Sequence, residues 1–225
     1  MNSIHEIVLH EKMKSDCYRF LSACFCQPQK NLFREEHLLN NLTTNLQQTS
    51  PGAAFFSALM EESIRKYSDD DLTVEYARLF LGPFEIKAPP YGSLYLDGEG
   101  RVMGDSTMDV IRFYEDAGLT RSKDCGDLPD HIAVELEFMS YLIYKEIEAI
   151  EKSDFATALE MIKKQESFLD RLLGRWIVQF CRKIKESTDN EFYTALADCA
   201  SLFVKSYNSG HIREAICGCM VEKRT

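Results

Sequence analysis

The stretch Leu128-Pro129-Asp130-His131-Ile132-Ala133-Val134-Glu135-Leu136-Glu137-Phe138-Met139-Ser140-Tyr141-Leu142-Ile143-Tyr144 leaves the chain little freedom in how it folds. Ten of the thirteen residues from Ile132 to Tyr144 are apolar or aromatic, whereas a surface helix carries an apolar stripe on one side. A helix this apolar must be wrapped by others, so a buried central helix is expected. Pro129 favours a helix start, and the polar pair Asp130-His131 stands at its head. Either Asp130 caps the helix, or Asp127 does with Asp130 three residues on; the sequence permits both.

Helical spacing recurs along the rest of the chain. Ile7, Val8, Cys17, Tyr18, Leu21, Cys24 and Phe25 predict a long first helix from Ile4 to Cys26, with Pro28 after it. A shorter helix is expected over Phe33 to Leu46. Ser50-Pro51 offers a cap and a first-turn proline for Ala53 to Lys66, with Phe55, Phe56, Leu59, Met60 and Ile64 inward. Asp69-Asp70-Asp71 suits the positive end of a further helix, continued by Leu72, Tyr76, Leu79 and Phe80 until Gly82-Pro83.

Residues 82 to 104 hold Pro83, Pro89 and Pro90 with Gly82, Gly92, Gly98, Gly100 and Gly104, which reads as a long ordered loop, with or without a short strand. Loops of this length inside compact domains are uncommon unless functional, and Phe84, Tyr91, Leu94 and Tyr95 are expected to pack back on the core. Ser106-Thr107-Met108-Asp109 reads as a capping box for a helix through Met108, Ile111 and Tyr114 that ends at Gly118.

After the central helix, Ser153-Asp154 caps a helix through Phe155, Leu159, Ile162, Phe168, Leu169, Leu172 and Leu173, bent near Gly174 and resumed through a core Trp176, Phe180 and Ile184. Phe192 to Phe203 form a last amphipathic helix, and Tyr207 to Thr225 a short helix or tail. Strand signals are almost absent. The expected fold class is all-α: a single helical domain, or two closely packed helical halves, around the buried central helix. The halves would be residues 1–118, with the loop 82–104, and 131–225, joined by a polar hinge at 119–130.

Charge removes one class of function. Thirty-six acids against 26 bases give a formal net charge of -10, the wrong sign for a phosphate-backbone binder. An acidic surface attracts a basic peptide instead, at the short range that screening allows. Glu135 and Glu137 interrupt the best candidate for a membrane span, so none is expected. Met1 to Lys12 mixes acids and histidines into its apolar residues and lacks a signal-peptide core, so a cytoplasmic location is expected. The eight cysteines then read as reduced thiols.

Three patterns bear on chemistry. Asp130-His131 reads as a metal or acid/base pair, as plain helix-start structure, or as a ligand anchor beside an apolar cleft. A metal-dependent hydrolase using Asp130 and His131 would need more histidines at helical spacing, and His5, His10, His37 and His211 are scattered. Gly98-Glu99-Gly100-Arg101-Val102-Met103-Gly104 has the glycines of a nucleotide loop, but the wrong last spacing and no strand-helix-strand frame. Cys24-x-Cys26 and Cys217-x-Cys219 with His211 lack the spacing of a zinc signature.

Taken in order, Tyr76-Ala77-Arg78-Leu79-Phe80-Leu81-Gly82-Pro83, Ala88-Pro89-Pro90-Tyr91-Gly92-Ser93-Leu94-Tyr95 and Leu128-Pro129-Asp130-His131 with Glu135-Leu136-Glu137-Phe138-Met139 resemble the TorD/DmsD family of cytoplasmic chaperones for molybdoenzymes. The resemblance implies a non-catalytic helical protein without a cofactor of its own. Its implied partner is the precursor of a molybdenum-containing oxidoreductase: the protein binds the twin-arginine signal peptide and holds the enzyme until its cofactor is inserted, before export. By the same resemblance the peptide groove is bordered by Pro89, Pro90, Tyr91, Ser93, Tyr95, Asp130 and His131. Guanine nucleotide binding and a monomer or domain-swapped dimer carry over loosely, and a permanent accessory subunit of an oxidoreductase is the rival role. The chain departs from the family pattern at Leu172 and Val178, where a histidine and a proline are expected, which predicts a straighter helix there.

Overall fold

The computed structural model describes residues 4–28, 37–82, 85–98, 100–120 and 127–222, and all the secondary structure described is helical apart from one isolated bridge. Parts of several expectations fall outside these residues: the start of the helix placed at Phe33, Pro83 of the Gly82-Pro83 stop, the packing of Phe84, Glu99 of the glycine pattern, the middle of the hinge and the end of the C-terminal tail.

The N-terminal helices are α1 (Ile4–Cys24), α2 (Leu38–Thr49), α3 (Pro51–Ser63) and α4 (Asp69–Tyr76). A π turn, Ala77–Leu81, ends at Gly82. Then come the four-residue α5 (Ser93–Leu96) and α6 (Asp105–Asp116). The central helix is α7 (Ile132–Glu151), followed by α8 (Phe155–Arg171), α9 (Leu173–Ser187), α10 (Glu191–Lys205) and α11 (Gly210–Glu222).

The apolar composition of α7 has the expected result. Ile132, Leu136, Met139, Leu142 and Ile143 are fully buried, with α1 packed on one side and α8 on the other. Farther out, α3 lies between α2 and α10, and α9 links α8 to α10. Helices from before and after residues 119–130 therefore share one core. No helix among the described residues is long and apolar enough to cross a membrane.

Several local expectations are corrected. Phe55 and Leu59 face outward, because Ala53, Ala54, Ser57 and Met60 form the buried face of α3; small residues let this helix approach α2 and α10 closely. The capping box at Ser106 is not formed. Helix α6 starts two residues earlier, after Gly104, and the Ser106 N–H and hydroxyl both donate to the Asp97 carboxylate. Its buried face is Ser106, Thr107 and Val110, with Met108 exposed. The chain leaves the helix at Leu172 rather than at Gly174, and α9 runs unbroken through Val178. Gly174 is needed for close approach, since a Cβ there would stand 2.5 Å from the Leu169 carbonyl oxygen.

Candidate functional site

Two segments meet at the head of α7. The Ile132 N–H donates to the Pro90 carbonyl at 2.9 Å and the Gly92 N–H to the Asp130 carbonyl at 2.9 Å. Tyr91 and His131 thereby form an isolated antiparallel bridge. At the start of α5 the Ser93 N–H donates to Asp130 Oδ2 at 2.9 Å. The Tyr95 hydroxyl closes the loop on itself by donating to the Pro89 carbonyl at 2.8 Å.

The helix cap is neither of the acids proposed for it. His131 occupies the cap, its Nδ1 accepting from the Ala133 N–H at 3.2 Å, while Asp130 turns to the loop. Burial holds the His131 imidazole below its usual range against the opposing pull of Asp127 and Asp130. The ring is neutral, as a nitrogen that accepts a hydrogen bond must be.

All seven predicted site residues come together, but not with equal access. Asp130 and His131 are 0% and 3% exposed, and Pro90 and Ser93 are buried as well, whereas Pro89, Tyr91 and Tyr95 are half-buried. The acid expected at the rim holds the loop, and the imidazole expected there caps the helix. Beneath it Tyr95 stacks on Trp176 at 5.5 Å between centroids, and Trp176 Nε1 donates to Glu135 Oε2 at 3.1 Å. Glu135 was legible only as a break in an apolar run. The signal that finds it is its spacing, three residues after Ile132 and four before Met139, on the inward face of α7.

Beside this anchor a groove of about 430 Å³ opens between α6 and α7. Ile111, Leu119, Pro129, Val134, Phe138 and Tyr141 give it apolar walls, and the exposed carboxylates Glu115, Asp127 and Glu137 stand along its lining. The Tyr114 hydroxyl donates to the Pro129 carbonyl at 2.8 Å and the Tyr141 hydroxyl to the Ala117 carbonyl at 3.1 Å, tying the walls together. Sequence spacing did not single out this surface, because it exists only where two helices diverge. The pairs Cys24/Cys26 and Cys217/Cys219 build no zinc site: no group of three potential ligands stands in metal-holding geometry among the described residues.

Residues 40–182, which run from α2 into α9 and include both loop and groove, match the family model described as nitrate reductase delta subunit. The chain belongs to that family. Within the nitrate reductase delta subunit family it is similar to the chaperone protein TorD of Photobacterium profundum, 26% identical over 199 residues that cover 85% of this chain and 91% of that one. It is also similar to the probable Tat proofreading chaperone DmsD of Haemophilus influenzae, 26% identical over 141 residues, covering 63% and 60%. The fold is shared with the solved structure of a protein described as a redox enzyme maturation protein from Archaeoglobus fulgidus, with a TM-score of 0.54 and 21% identity over 84% of this chain and 93% of that one. This family member is a chaperone of the TorD/DmsD type and not an enzyme.

Proposed function

We propose that the chain binds the twin-arginine leader peptide of a molybdenum-containing oxidoreductase in the cytoplasm and keeps the precursor from export until its cofactor is in place. The observation that supports this reading is the groove between α6 and α7, with apolar walls and Glu115, Asp127 and Glu137 beside them. A leader of this kind carries fixed positive charges next to an apolar stretch, and its receptor needs both surfaces. Burying about three apolar side chains at ~1.5 to 3 kcal/mol each, less the cost of ordering the peptide, gives affinity near micromolar. Such a complex forms and also releases.

In this reading Asp130 holds the loop and His131 caps α7, and neither touches the peptide, since both are buried and hydrogen-bonded. That arrangement also speaks against the hydrolase reading, which needs them open to substrate. Photo-cross-linking tests the location. A leader peptide with a photoreactive group in its apolar stretch should attach around Ile111 and Val134, and attachment confined to the α3 or α10 surface would contradict the reading. A permanent accessory subunit is separated from a chaperone by co-purification with the mature oxidoreductase, which the chaperone reading predicts to be free of this chain.

A further inference from the structure

Three buried oxygens at one corner of the structure lack a hydrogen-bond partner among the described residues: Ser93 Oγ, Asp130 Oδ1 and Glu135 Oε1. Their closeness follows from the contacts around them. Asp130 grips the Ser93 N–H through its other oxygen, and a methyl group built on Gly92 would come within 3.1 Å of Glu135 Oε1 and 3.0 Å of Trp176 Nε1. Buried polar atoms are rarely left unsatisfied, and a corner with three of them suits an enclosed water, which typically takes two to four polar partners.

We infer that Glu135 is a positioning residue for the Pro89-to-Tyr95 loop, acting through Trp176 and through an enclosed water that it shares with Asp130 and Ser93. The role rests on the reading of the adjacent groove as the peptide site, because helix α6, whose first turn is tied to Asp97 just beyond the loop, sets one wall of that groove. The path is continuous on the structure. Glu135 accepts from Trp176, Trp176 stacks on Tyr95, and two residues on Asp97 accepts from the N–H and hydroxyl of Ser106 in the first turn of α6. Helix α6 carries Ile111 and Glu115 into the groove.

The charge state suits the role. Burial holds the Glu135 carboxyl well above the ordinary carboxylate range, the Trp176 hydrogen bond only partly offsets this, and Asp130 adds to it. A protonated Glu135 accepts from Trp176 on one oxygen and donates from the other to the water, which in turn donates to Asp130. Glutamine reproduces this pattern and leucine does not.

The test uses the full chain with Glu135→Gln, Glu135→Leu and Trp176→Phe. Its readouts are emission of the single tryptophan where it remains, hydrogen exchange at the Gly92, Ser93 and Ile132 amides, and leader-peptide affinity. Glu135→Gln is expected to match the parent in all three. Glu135→Leu should speed exchange at those amides and weaken peptide binding, each by about tenfold or more, while α10 amides stay protected. Trp176→Phe should shift exchange and affinity the same way, and it carries the test if the leucine variant does not fold. A glutamine variant as damaged as the leucine one overturns the inference, as do loop amides left protected in both Glu135→Leu and Trp176→Phe. Loop amides that open as expected in a protein whose parent form binds no leader peptide sustain the positioning role and remove the peptide reading alone.

Discussion

The Ser93 N–H donates to Asp130 Oδ2 at 2.9 Å with the Asp130 side chain wholly buried, so the acid at the head of the central helix serves the loop that crosses it. The residue after it, His131, serves the helix. Adjacent side chains thus fix two segments 37 residues apart in the chain and give the groove a rigid neighbour.

Removing the Asp130 carboxylate should leave the Ser93 N–H buried without a partner. Asp130→Ala is expected to cost about 1 to 3 kcal/mol in urea unfolding, with Asp130→Asn, which keeps an acceptor oxygen, nearer the parent. An alanine variant as stable as the parent would show that the bond is not part of the anchor.

Gly92→Ala tests how tightly the loop is seated. The added methyl would meet Trp176 and Glu135 at 3.0 and 3.1 Å, closer than ordinary contact, so overpacking of about 1 to 3 kcal/mol is expected. The emission of the single tryptophan should shift with it. Unchanged stability and emission would mean that the seat gives way freely.

The buried acid Glu146 makes stability depend on pH. Burial, with Glu11 nearby, pushes its carboxyl up to about 8, against the Gln165 hydrogen bond and Lys14. The folded state holds a proton that the unfolded chain loses near pH 4.5, so this contribution is full at low pH and fades as pH rises through about 8. The limiting slope is about 1.4 kcal/mol per pH unit. Glu146→Gln, which still offers an oxygen to the Gln165 amide, should flatten unfolding curves across that range; an unchanged slope would assign the dependence elsewhere.

Much of this was legible in the sequence. The apolar run of α7 forced a buried helix, the Gly/Pro-rich stretch announced the loop, and Asp154 caps α8 as its position suggested. The failures share a cause. Whether Asp130 or His131 caps α7 depends on a loop 37 residues away in the chain, which local propensity cannot see. Phe55 reads as core by type, yet α3 buries Ala53, Ala54 and Ser57 because its neighbours come too close for a ring. Glu135 reads as an interruption until the indole that pairs with it is in place.

The carboxylates beside the groove make a separate prediction about salt. Glu115 and Glu137 are exposed, so reversing both to lysine should weaken leader binding by roughly tenfold at low ionic strength. The difference should shrink as salt is added, because exposed charges are screened within ~8 Å at physiological ionic strength. A salt-independent difference would point to altered shape.

Calorimetric titration of the leader peptide into the parent chain and into Val134→Asp tests the central claim most directly. Val134 is half-buried on the groove wall, away from the loop anchor's hydrogen bonds. The parent should bind near micromolar, and the variant, with an unchanged Tm, at least about tenfold more weakly. Equal affinity in the two proteins would contradict the groove as the peptide site.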